Sequence, residues 1–240
     1  MVTKSQLISF TPRKVFIWQL CLMFLLFILH AIAKVLYVNG ILTDYPGVKF
    51  GLYLFDFDEE VNIPTFYSAI AILCSSIILL SIATMEKMSN SNYLYWLVLS
   101  IIFFFLSIDE IASIHERFGD LIKRHFDLTG VFFFAWVVPY GIAVVIFCIL
   151  SLKFLIDLPR NFRYLFILSG ATFVLGAIGL EMLGARHTEL QGRDNITYWI
   201  ITTCEELLEM LGISLFIYTL LRYIVTNYGG ITISLSDEKS

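Results

Sequence analysis

Six long apolar runs constrain this 240-residue chain more than any other feature of its sequence. A helix needs roughly 20 mainly apolar residues to cross the hydrocarbon of a bilayer. Residues 15–38, 64–85, 93–114, 131–156, 162–184 and 196–225 meet that length. A soluble core cannot absorb them: 58% of residues are hydrophobic and only 15% charged, against about 45–50% and about 25% in soluble domains. The sequence therefore predicts an all-α fold, a single polytopic domain over 1–240 built as an integral membrane helix bundle with about six transmembrane helices.

Details of the runs fit that reading. Pro64 suits the first turn of its helix, where the missing N–H costs nothing. The last run is longer than a bilayer requires, so it should tilt or project. Trp18, Tyr37, Tyr93, Trp96, Tyr198 and Trp199 stand near run ends, as an interfacial aromatic belt requires. Lys4, Arg13 and Lys14 precede the first run, and Ala31-Ile32-Ala33 resembles a signal-peptidase site. The apolar run continues through Val38, so it reads as a retained helix. Cys21, Cys74, Cys148 and Cys204 sit inside the runs with no CxxC spacing, and are expected as buried thiols acting as small hydrophobes.

A slight excess of Lys and Arg on the side of the amino terminus predicts both termini in the cytoplasm. The acids divide more sharply. Under this topology only Glu86, Asp157, Asp237 and Glu238 fall on the inner side. His30, His115, His125 and His187 also lie toward the outer side, so the polar chemistry gathers at one membrane face.

Three clusters carry that chemistry. The third run ends in Ser107-Ile108-Asp109-Glu110, followed by Ser113, His115 and Glu116. Continued as one helix, it places Asp109 and Glu116 on one face. The fifth run brings Glu181, on a face with Gly170, Ala177 and Gly184, with Arg186 and His187 in the loop beyond. Small residues there let another helix approach. The sixth run carries Glu205, Glu206 and Glu209, with Glu205 and Glu209 stacked four apart. Acids within a membrane are costly, face the bundle interior, and mark function by default. A secondary candidate is the first outer loop, where Asp56, Asp58, Glu60 and Asn62 alternate. An extended segment would show these oxygens on one face, like the opening of a calcium loop, but the glycine and closing Glu of that loop are missing.

Other site types are absent from the sequence. It holds no HExxH, GxSxG, Walker A or GxGxxG, no Glu-x-x-His pair and no membrane HxxxH pair of the ceramidase kind. No organic cofactor is indicated. Scattered Lys and Arg exclude a nucleic-acid partner. The sequon at Asn195 abuts a helix and is expected to be unused.

The segments Asp58-Glu59-Glu60-Val61-Asn62-Ile63-Pro64-Thr65, Ser107-Ile108-Asp109-Glu110 with His115-Glu116, and Glu205-Glu206-Leu207-Leu208-Glu209-Met210-Leu211-Gly212 resemble an uncharacterised family of bacterial multi-pass inner-membrane proteins. The resemblance implies a bacterial inner (plasma) membrane and brings no activity.

From the residues themselves, the leading expectation is a divalent-metal site at the outer face. Its candidate ligands are Asp109, Glu110, His115, Glu116, Glu181, His187, Glu205, Glu206 and Glu209. Carboxylates with a few imidazoles suit Mn, Fe, Mg or Ca. A catalytic version would act on a lipid-phase substrate. Two further readings stand beside it: a proton- or cation-coupled transporter or channel using the same acids, and an accessory or structural membrane subunit. The transport reading needs polar residues through the inner half, where the helices offer mainly Ser75, Ser76, Ser81, Ser100 and Thr219.

Overall fold

The computed structural model describes residues 11–40 and 45–229. The extreme termini, with Lys4, Asp237 and Glu238, lie outside the described residues, and so does the placement of the two chain ends. Among the described residues the chain is helical, in the order α1 (Pro12–Val38), α2 (Pro46–Tyr53), α3 (Ile63–Met88), α4 (Leu94–Ala112), α5 (Ile114–Lys123), α6 (Val137–Asp157), α7 (Arg160–Val174), α8 (Glu181–Gln191) and α9 (Ile196–Tyr228). A 3-10 turn (Gly130–Phe132) precedes α6, and a π-helical segment (Leu175–Leu180) joins α7 to α8. Among the described residues six helical stretches are long and apolar enough to cross a membrane, counting Arg160–Gln191 as one. The chain is a polytopic helical membrane protein.

Local chemistry sets the helix starts. Pro12 and Pro64 occupy first turns. Asn62 and Asn195 each accept a backbone N–H with the side-chain oxygen, from Thr65 at 3.1 Å and from Tyr198 at 3.0 Å. α4 stops where Ser113 adopts a left-handed conformation (φ 48°). The break turns the chain, and α5 begins at once.

The centre of the bundle is α3, α4, α7 and α9. Serines bring α3 and α4 together: Ser76 and Ser100 each donate to the other's carbonyl, at 2.7 and 2.9 Å, and Ser107 donates to the Ala69 carbonyl at 2.9 Å. Small side chains give such close approach within lipid. Away from the acid-rich end, Leu79, Ile82 and Leu220 are fully enclosed, and Trp96 packs among Phe154, Phe166 and Tyr223. Glu86, at the opposite end of the bundle, accepts from the Tyr223 hydroxyl at 2.7 Å.

Several expectations are corrected here. Trp96 and Tyr198 are buried rather than interfacial, whereas Trp18 and Tyr37 are exposed. All four cysteines lie on exposed helix surfaces, because the apolar runs turn much of their surface to lipid. The fourth helix starts at Val137 rather than at residue 131. Arg186 and His187 belong to α8, which runs on to Gln191, and not to a loop. α2 had no counterpart among the apolar runs.

Candidate functional site

At the acid-rich end, carboxyl groups converge from separate elements: Asp58 and Glu60 from the loop before α3, Asp109 and Glu110 from α4, Glu181 from the start of α8, and Glu205, Glu206 and Glu209 from α9. Glu206 feels the charges of Glu110, Glu60, Glu181 and Asp58. Glu209 feels Glu206, Glu110, Glu181 and Glu60. Glu205 is hydrogen-bonded to Glu181. Two carboxyl groups in such contact share a proton or hold a cation between them. Glu110, Glu181, Glu205, Glu206 and Glu209 are each half-buried.

An aromatic and hydroxyl shell fixes this chamber. The Trp136 indole N–H donates to Glu181 Oε1 at 2.9 Å. The Tyr140 hydroxyl donates to Asp109 Oδ1 at 3.1 Å, and the Tyr198 hydroxyl to Asp58 Oδ1 at 2.9 Å. Ser113 reaches Glu60 Oε2 at 3.4 Å. Asp109 also accepts the His115 backbone N–H at 2.8 Å, so it caps α5, while its other oxygen lies 3.4 Å from His115 Nδ1. The His115 ring meets Trp136 edge-on, with centroids 4.8 Å apart.

His115 is the cationic group that faces Glu60, Glu110 and Glu181. Burial disfavours its charge, but the Asp109 carboxylate beside it, with Glu60 and Glu110, outweighs burial and raises the imidazole to about 9. Burial and then the charge of Glu116 push Glu60 up to about 7, against the pull of His115 and Ser113. Burial also raises Asp58, opposed by the Tyr198 hydroxyl and by Lys34 and Arg193. Those two cations stay at the rim: Lys34 bonds Asp56 at 2.7 Å, and Arg193 stacks over the Phe134 and Tyr198 rings.

Close backbone packing positions the acids of α9. A Cβ on Gly176 would lie 2.8 Å from the Glu205 carbonyl oxygen and 3.1 Å from the Glu209 nitrogen. In return, a Cβ on Gly212 would meet Phe173 backbone atoms at 2.6 and 2.8 Å. The two glycines let α7 and α9 touch backbone to backbone beside the carboxylates. The π-helical segment begins at this contact and ends at Leu180, and the Glu181 N–H just beyond it bonds the Gly176 carbonyl. Hydrogen bonds in a π-turn close five residues on instead of four. Glu181 therefore stands over Gly176, where an unbroken α-helix would place Leu180.

This geometry corrects the small-residue face expected for the fifth run. Gly170 has nothing near it, Gly184 makes ordinary contact with Ile201 and Tyr198, and the tight approach is at Gly176. Glu116 does not share a face with Asp109, because the chain breaks at Ser113, and it is exposed. His187 is turned away to Asn195, 2.7 Å from Nε2 to Oδ1. His30 is a satisfied core histidine: its Nδ1 accepts from the Phe57 N–H at 3.0 Å and its Nε2 lies 3.0 Å from Thr203 Oγ1. The loop of Asp56, Asp58, Glu60 and Asn62 is turned rather than extended. Its four side chains go to Lys34, Tyr198, Ser113 and the start of α3, respectively. Among the described residues, no three His, Cys, Asp or Glu side chains stand as a ready metal-holding group. Sequence reasoning missed Trp136 and Tyr140, which lay inside an apolar run with no polar neighbour to mark them. It treated Glu60 only as part of a loop.

No curated protein and no solved structure matches the chain. A family model, Domain of unknown function (DUF8692), matches residues 20–223, so the chain belongs to that family.

Proposed function

We propose that the protein binds a divalent cation (Mn, Fe, Mg or Ca) in this carboxylate chamber, as a one-sided site of a bacterial inner-membrane protein. One observation carries the reading: Glu181 and Glu205 are in hydrogen-bonding contact, with Glu206 and Glu209 in electrostatic range. A divalent ion between carboxylates neutralises two charges and satisfies several oxygens at once. Glutamate side chains are long enough to rotate toward such an ion from the arrangement described above, in which no three of the described residues already stand as a metal-holding group. Trp136 and Tyr140 hold Glu181 and Asp109 as outer partners hold metal ligands.

The packed core favours a one-sided site over a conduit. Between the chamber and Glu86 lie Leu79, Ile82, Phe216 and Leu220, all buried. The serines and threonine a pathway would use are engaged: Ser75 donates to the Ala71 carbonyl, Ser76 and Ser100 to each other, and Thr219 to the Leu215 carbonyl. Catalysis on a lipid-phase substrate would use the same cation as a Lewis acid.

The test is elemental mass spectrometry of protein purified without chelator, comparing wild type with Glu205→Gln and Glu209→Gln. The expected result is one divalent ion per chain, lost in both variants. Metal-free wild type that carries a pH-dependent ion flux in liposomes would overturn the reading in favour of transport.

A further inference from the structure

The short helix α5 lies outside the six spanning stretches, yet its surface divides into three sectors. At roughly 100° per residue, His115, Gly119 and Ile122 share one sector. It is the side held by the protein: His115 meets the Trp136 ring, and a Cβ on Gly119 would lie 3.0 Å from the Trp136 nitrogen. Ile114, Phe118 and Leu121 form the adjacent sector. Phe118 is 45% exposed and Leu121 52%, too much for a helix side packed on protein. Glu116, Arg117, Asp120, Lys123 and Arg124 fill the remainder, with Arg117 and Arg124 next to the apolar sector, the two acids beyond them, and Lys123 nearest the protein side, over the Phe133 ring.

We infer that α5 is a membrane-interface helix, seated with Phe118 and Leu121 in the acyl–headgroup boundary of the leaflet at the acid-rich end. Its occupant is lipid for two reasons. The apolar sector follows within a few residues on Phe104, Phe105, Ile108 and Ile111, all exposed on the spanning helix α4, so α5 leaves the bundle at a lipid-facing helix. The flanking Arg117 and Arg124 are exposed cations on long stems, placed to reach lipid phosphates while the rings go deeper. Phe126, just beyond the helix, is 63% exposed as well. A helix on soluble surface would have no use for this order of protein, lipid and water sides; one at the rim of a bundle needs all three. Seated there, α5 holds His115 and Gly119 against Trp136, and so holds the shell around Glu181.

The experiment is depth measurement by spin labelling, which does not depend on what the carboxylates bind. Cys21, Cys74, Cys148 and Cys204 are replaced by Ala, and single cysteines are placed at 105, 118, 120 and 121. The full chain is reconstituted in nanodiscs of phosphatidylcholine with phosphatidylglycerol. The expected ratio of oxygen to nickel-chelate accessibility at 118 and 121 is several-fold above that at 120 and close to that at 105. Labels at 118 and 121 as nickel-accessible as at 120 would overturn the inference, with the face in water. Labels shielded from both reagents would overturn it too, with the face covered by protein such as a second copy. Circular dichroism of each preparation checks that it keeps the helical fold, and the label at 120 gives the reading for the polar side.

Discussion

Gly176→Ala should damage this protein although it adds one methyl group and removes a helix-breaking residue. The new Cβ would lie 2.8 Å from the Glu205 carbonyl oxygen, 2.9 Å from Glu209 Cγ and 3.1 Å from the Glu209 nitrogen, where ordinary contact is 3.4–4 Å. Two of the three are backbone atoms, so no side-chain rotation relieves the clash; the π-helical segment after α7 and α9 must separate by roughly half an ångström, on the scale of ordinary carbon contacts. Overpacking of this kind costs about 1–3 kcal/mol. Alanine returns about 0.8–1 kcal/mol of helix propensity. Because rigid backbone sets two of the three contacts, the overpacking cost falls in the upper part of its range, about 2–3 kcal/mol, and the net loss is about 1–2 kcal/mol, a factor of roughly 5–30 in the folded-to-unfolded ratio. The control is Gly170→Ala, which meets nothing within 4 Å and should be neutral or stabilising. Denaturant titration in mixed micelles, followed by circular dichroism, reads both. Gly176→Ala as stable as wild type, or Gly170→Ala equally harmed, would refute the packing argument.

Two further outcomes follow from the shell. Trp136→Phe keeps the ring against His115 but deletes the N–H to Glu181; losing a hydrogen bond to a charged group costs about 1.5–3 kcal/mol, and an unchanged unfolding midpoint would show that the bond contributes nothing. The raised His115 favours the folded state fully below its ordinary value of 6.5, and that contribution disappears as pH rises through about 9. Chelated wild type should therefore lose stability relative to His115→Gln between those values, and parallel pH profiles would refute the pairing with Asp109.

The bundle was legible because its signal is global: only lipid accommodates such apolar runs, and Pro64 marks the start of one helix. The acids of α9 were legible for the same reason, since their cost in a membrane makes them conspicuous. What stayed hidden is phase. A periodic reading of the fifth run put Gly170 and Ala177 beneath Glu181, but the π-helical segment inserts one residue and moves Gly176 there instead. The αL turn at Ser113 likewise separates Asp109 from Glu116 and hands Asp109 to His115. Neither break carries a proline, so periodicity ran through both. Trp136 and Tyr140 were hidden by company, as their donors matter only because folding sets carboxylates opposite them.

Cation binding in the chamber is tested most directly by titrating Mn²⁺ into chelator-treated protein and following the free ion's six-line electron paramagnetic resonance spectrum. With a site in the chamber, the signal stays suppressed until about one equivalent per chain has been added, one ion being enough to bridge Glu181 and Glu205. In Glu181→Gln the signal should instead grow from the first addition. A free-ion signal that tracks added Mn²⁺ from the start in the wild type, with the protein folded, would contradict the account.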